Sequence, residues 1–167
     1  MPIDSKLPNV QTTIFSVMSQ LASEHGALNL SQGFPDFNGP KELLNLVTHH
    51  MSIGHNQYAP MTGIPELRQA IANKASGLYG AEVDFDTEVT VTSGATDALF
   101  TAITTIVNPS DEVIVFDPAY DSYDPAITLA GGKAIHIPLD NEDFSIDWQR
   151  VKEAITDKTR AIILNSP

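Results

Sequence analysis

The chain has 167 residues, of which 42% are hydrophobic, 18% charged and 7% aromatic, so it is not disordered, and one domain with a real core is expected. Nine Lys and Arg against 21 Asp and Glu give a net charge of -12, which argues against a nucleic-acid partner and against an anionic membrane surface. No run approaches the roughly 18 apolar residues of a membrane span, and the lack of Cys excludes disulfide scaffolds, thiolate metal sites and cysteine nucleophiles.

Residues 1–6 carry no basic, then apolar, secretory pattern, so a cytoplasmic protein is expected. Thr12 or Thr13 is placed to cap a helix with Ile14, Val17, Met18, Leu21 and Ala22 at helical spacing and Gly26 as its stop. Residues 27–30 read as a short strand. A shaped loop follows, with two Gly and two Pro between 33 and 40. A second helix from Pro40 is expected to bury Leu43, Leu44, Val47 and Met51. A third follows Gly63, with Pro65 in its first turn, Leu67, Ala70, Ile71, Ala75 and Leu78 on one face, and Gly80 at its end.

From there strands alternate with helices. Residues 89–92 read as a strand, and 93–96 turn into a helix running to about Val107. Residues 113–116 form a continuous apolar strand, broken by Asp117-Pro118, and a helix is expected over 120–130. Gly131-Gly132 turns the chain into a strand at 133–137. Asp147 caps a helix carrying Trp148, Val151 and Ile155, and 160–164 is the last strand. This alternation indicates a parallel α/β sheet covered on both faces. The chain stops directly after that strand, without the crossover that should cover it, so a continuation is expected.

The charge is uneven. Residues 1–80 hold 4 basic and 5 acidic side chains, and 81–167 hold 5 and 16. Glu82, Asp84, Asp86 and Glu88 cluster without a histidine and read as a solvated loop. The strongest chemical candidate is Ser93-Gly94-Ala95-Thr96, a small-residue turn between a strand and a helix. Helix-start N–H groups and the helix dipole favour an anion there, and Gly94 and Ala95 admit a phosphate to the backbone. An ordinary turn capped by Ser93 or Thr96 explains the same residues equally well. The Asp97 charge is expected to point away from the turn. No GxGxxG, Walker lysine, HExxH or GxSxG is present. His49, His50 and His55 are close in sequence without metal-ligand spacing, and His25 and His136 are isolated, so no metal is expected.

Five motifs in order resemble the class I/II aminotransferases, pyridoxal-phosphate enzymes of fold type I: residues 29–37 (NLSQGFPDF), Gln57-Tyr58 with Gly63 and 67–72 (LRQAIA), 93–96 (SGAT), 117–123 (DPAYDSY) and 164–167 (LNSP). The resemblance implies a three-layer α/β/α fold with a mostly parallel sheet, truncated here, with 1–40 as N-terminal arm and small-domain segment and 41–167 as the first part of the large cofactor domain. It implies pyridoxal 5'-phosphate as cofactor, with Gly94, Ala95 and Thr96 cradling the phosphate and Tyr120 stacking on the ring. Tyr58 would reach the phosphate of a neighbouring subunit in a homodimer, and Gly33 would border the substrate carboxylate. Amino-acid and 2-oxo-acid substrates follow, of methionine or aromatic type.

The Schiff-base lysine, the aspartate at the pyridine nitrogen and the arginine for the substrate carboxylate are all expected beyond Pro167, and Asn165 is assigned no role. The chain alone is therefore expected not to transaminate. The resemblance also implies that further strands separate 160–164 from both 89–92 and 113–116, leaving only 113–116 and 133–137 as neighbours. Alternatives are a β-lyase of the same fold, or a noncatalytic phosphate-binding or dimerisation module.

Overall fold

The computed structural model describes residues 4–8, 10–33 and 35–166. Phe34 and Pro167, which belong to two of the motifs, lie outside the described residues, as do 1–3 and Asn9. The elements are α1 (Ile14–Glu24), α2 (Lys41–Ser52), α3 (Pro65–Tyr79), α4 (Ala95–Ile106), β1 (Glu112–Asp117), α5 (Tyr123–Leu129), β2 (Lys133–Pro138), α6 (Trp148–Ala154) and β3 (Thr159–Ile163). They gather into two compact units: one is Ile14–Thr92, and the other holds Ser93 onward with the described residues before Ile14. No helix among the described residues is long and apolar enough to cross a membrane.

In the unit of α1 to α3, helix ends fall where the local signals put them. Gly26 takes φ +59 after α1, and the Ala27 N–H reaches back to Ala22 O at 2.8 Å. Pro65 opens α3, and Gly80 closes it with φ 64, donating to Ser76 O at 2.9 Å. The buried faces differ from expectation. Leu43, Leu44, Val47 and Met51 of α2 are exposed, and so are Leu67, Ile71 and Leu78 of α3. The residues α3 buries are Arg68 and Ala72, one turn apart on the face onto which the 83–88 segment folds back. Residues 27–30 and 89–92 form no strand. A strand needs a ladder, and the main-chain bond that Val91 donates goes to the turn carbonyl of Thr62, at 3.0 Å.

The other unit is a parallel three-stranded sheet in the order β2-β1-β3. β1 is central because its run Val113 to Phe116 is apolar on both sides, and all four residues are buried. Val113 and Val115 face a layer built by Ile103 and Val107 at the end of α4 and by Tyr123, Ala126 and Ile127 of α5. Ile114 and Phe116 face the opposite layer, with Ile137 and Val151 of α6. The three-layer arrangement is thus present.

The strand order is a correction. β3 pairs directly with β1, with Val113 opposite Ala161 and Val115 opposite Ile163, and nothing is inserted between them. Each strand has an apolar face to share, and direct pairing satisfies backbone groups that separation would leave open. α5 begins at Tyr123, not at residue 120, because 118–122 form the turn that leaves β1. Asp147 caps α6 as expected, accepting from the N–H groups of Gln149 and Arg150 at 3.0 and 3.1 Å.

Candidate functional site

The small-residue turn at 93–96 opens α4. Gly94 is the N-cap, at φ 93 and ψ 170, a backbone region that residues with a Cβ avoid. Apart from its own chain neighbours, nothing crowds the place a Cβ on Gly94 would take within 4 Å. That open space adjoins the exposed Ala95 and Thr96, whose helix-start N–H groups have no acceptor within the helix. The residues present therefore fit a phosphate: a small, open backbone at the positive end of a helix. Asp97 is not directed away from this turn. Its Oδ2 accepts from the Ser93 N–H at 3.1 Å, so one carboxylate already ties the turn to the first turn of α4. A backbone donor four residues back is the local signal, since Asp in a first helical turn seeks unpaired N–H groups.

Tyr120 belongs to the same unit, in the turn that leaves β1 through the cis Asp117-Pro118 peptide. The residue is 42% exposed. It meets the buried Tyr123 ring edge to face, with centroids 5.8 Å apart and planes at 72°. The Tyr123 N–H also donates to Tyr120 O at 3.2 Å. Tyr120 thus rests against the buried Tyr123 while remaining partly exposed.

Tyr58 and Gly33 belong to the other unit. Tyr58 is fully exposed. Gly33 also has open space where a Cβ would be. The loop that leads to it is ordered by side chains: Asn29 Nδ2 donates to Ser19 Oγ at 3.0 Å, and Ser19 Oγ donates to Gln32 Oε1 at 3.2 Å. Asn29 Oδ1 in turn accepts from the Ser31 N–H and hydroxyl. Among the described residues, no group of three or more His, Asp or Glu side chains is arranged to hold a metal.

His136 is not isolated. Its Nδ1 lies 3.0 and 3.1 Å from the two carboxylate oxygens of Asp117, and its Nε2 lies 3.1 Å from Asp124 Oδ2. The hydrogen bond to Asp117, aided by the two nearby negative charges, raises the imidazole above its ordinary pKa against the opposing effect of partial burial. Sequence alone offers no spacing rule here, because one partner ends the neighbouring strand and the other starts a helix.

The family described as Aminotransferase class I and II matches residues 25–167. A methionine aminotransferase of Escherichia coli is 54% identical over 98% of this chain and 42% of its own length. A probable N-succinyldiaminopimelate aminotransferase of Mycobacterium tuberculosis is 42% identical over 98% of this chain and, again, 42% of its own length. Among solved structures, YbdL from E. coli, identified with a methionine aminotransferase function, superposes with a TM-score of 0.95 at 53% identity, covering 100% of this chain and 44% of that one. The M. tuberculosis N-succinyldiaminopimelate aminotransferase gives a TM-score of 0.91 at 42% identity, over 99% of this chain and 44% of the other. The chain spans about two fifths of the length of these relatives, whose family depends on pyridoxal phosphate. With its motifs in order, its layered parallel sheet and a match over 25–167, the chain belongs to the class I and II aminotransferases.

Proposed function

We propose that the protein to which this chain belongs is a pyridoxal-phosphate-dependent aminotransferase that moves an amino group from methionine or an aromatic amino acid to a 2-oxo acid. The observation that carries this reading is the open turn of Gly94, Ala95 and Thr96 at the start of α4, in a chain of this family. The methionine preference is taken from the 54% identical E. coli relative.

In this reading Gly94, Ala95 and Thr96 hold the cofactor phosphate through helix-start N–H groups and the Thr96 hydroxyl. Tyr120, backed by Tyr123, stacks on the pyridine ring and orients it. Gly33 lets the backbone border the substrate carboxylate. Pyridoxal phosphate, when bound, supplies an electron sink for the carbanion that amino transfer requires. No lysine of this chain is assigned the proton-moving role. Residues 1–40 are read as arm and small-domain segment, and 41–167 as the start of the cofactor domain.

We also read the protein as a cytoplasmic homodimer. The full exposure of Tyr58 suits a side chain that reaches a neighbouring subunit, and a chain without cysteine makes no demand on an oxidising compartment. The test uses the full-length polypeptide with pyridoxal phosphate, a 2-oxo acid and a panel of amino acids. Formation of the matching oxo acid from methionine or an aromatic donor is expected. Amino-acid cleavage to a free elimination product, with no amino transfer, would establish the lyase alternative instead.

A further inference from the structure

The turn 118–122 that carries Tyr120 is closed by main-chain bonds, from the Tyr123 N–H to Tyr120 O at 3.2 Å and from the Ala126 N–H to Ser122 O at 3.3 Å, but its side-chain cap is missing. Ser122, the N-cap of α5, makes no side-chain cap bond, and its hydroxyl oxygen is buried without a partner. What spans the turn is His136, reaching from β2 to both of its ends. Nδ1 meets both oxygens of Asp117, where β1 finishes, and Nε2 meets Asp124 in the first turn of α5. We propose that His136 is a positioning residue, a clamp that joins Asp117 to Asp124 and so sets the turn from which Tyr120 projects. This rests on the assignment of Tyr120 to the cofactor ring made above.

The clamp has a built-in proton requirement. A neutral imidazole has one N–H and one lone pair, so it donates to one carboxylate and sets a lone pair against the other. Only the imidazolium donates to both. The groups facing the ring are Asp117 from β1 and Asp124 from α5, both acidic, while Arg150 and Glu153 of α6 line the cleft along 135–138. The contact with Asp117 uses two oxygens and that with Asp124 one. As the ring loses a proton, Nδ1–H therefore stays with Asp117 and the Asp124 tie is released.

The test has two readouts on the full-length polypeptide. Nitrogen NMR of the His136 ring in the cofactor-free protein should show both nitrogens protonated at low pH and Nε2 alone deprotonated at high pH. Pyridoxal phosphate dissociation, followed against pH for the wild type, His136→Gln and Asp124→Asn, should show a wild-type step of about threefold, the size of a partly exposed charged pair. Both variants should lack that step. In Asp124→Asn the new carboxamide accepts from a protonated ring and donates to a neutral one, so this variant keeps the turn tied at either pH. The cofactor's own titration is common to all three proteins and cancels in the comparison. A wild-type step preserved in both variants, or an Nδ1 that deprotonates first, overturns the proposal. Tyr120→Leu separates it from the reading beneath: unchanged cofactor affinity there removes Tyr120 from the site whatever His136 does.

Discussion

A Cβ added to Gly63 would lie 2.6 Å from Cγ2 of Val91 and 2.8 Å from its Cβ. Gly63 also sits at φ +96, and the Val91 N–H donates to Thr62 O beside it, at 3.0 Å. The turn before α3 thus packs main chain against the 89–92 segment with no room for a side chain. Gly63→Ala combines a strained backbone with a clash and should destabilise the protein by about 1–3 kcal/mol. The midpoint of urea unfolding measures it, and an unchanged midpoint would show that the two segments separate freely.

Arg68 is 7% exposed and donates to Phe85 O at 2.9 Å, Asp86 O at 3.2 Å and Asp86 Oδ1 at 3.4 Å, with its guanidinium 5.7 Å from the centre of the Phe85 ring. Arg68→Met keeps the length and loses these bonds, and should cost about 1.5–3 kcal/mol. Arg68→Lys should recover only part of this, since an ammonium lacks the planar fork that serves two carbonyls at once. Equal stability of the Lys variant and the wild type would show that charge alone suffices.

At the phosphate turn, Ala95→Leu should weaken pyridoxal phosphate binding by crowding a close backbone approach. Asp97→Asn and Asp97→Ala should part company. Asn keeps an acceptor for the Ser93 N–H and removes a negative charge, so cofactor affinity should hold or rise. Ala removes the tie itself, at about 0.5–1.5 kcal/mol for a hydrogen bond. Equilibrium dialysis against the cofactor distinguishes them, and identical affinities for Asn and Ala would remove the 97–93 bond from the site's organisation.

Asp84 accepts from the Asp86 N–H and, after it in weight, from the Thr87 hydroxyl, and these bonds lower its pKa below the ordinary 3.8. A carboxylate with a depressed folded pKa contributes stability that is present above its unfolded value and lost as pH falls through the folded one. Asp84→Asn should flatten the acid limb of the stability profile below about pH 4 and leave its shape near neutrality unchanged. Unfolding midpoints across an acidic pH series check this. An acid limb of the same slope in both proteins would mean that other carboxylates carry it.

The elements that sequence made legible are those whose cause is local. Pro65 and Gly80 bracket α3, Asp147 caps α6, and the unbroken apolar run Val113 to Phe116 is the buried central strand. The turn at 93–96 was readable for the same reason, as small residues before a helix. Tertiary structure alone decided the rest. Which face of α3 is buried depended on Arg68 finding the carbonyls of Phe85 and Asp86, and the pairing of β1 with β3 depended on a segment more than forty residues away. His136 looked solitary because its partners come from a neighbouring strand and a helix start. Caps, turns and apolar runs act within a few residues and leave a periodic trace. Ladder partners, buried charges and carboxylate clamps are settled by which distant groups meet, and no spacing along the chain records that meeting.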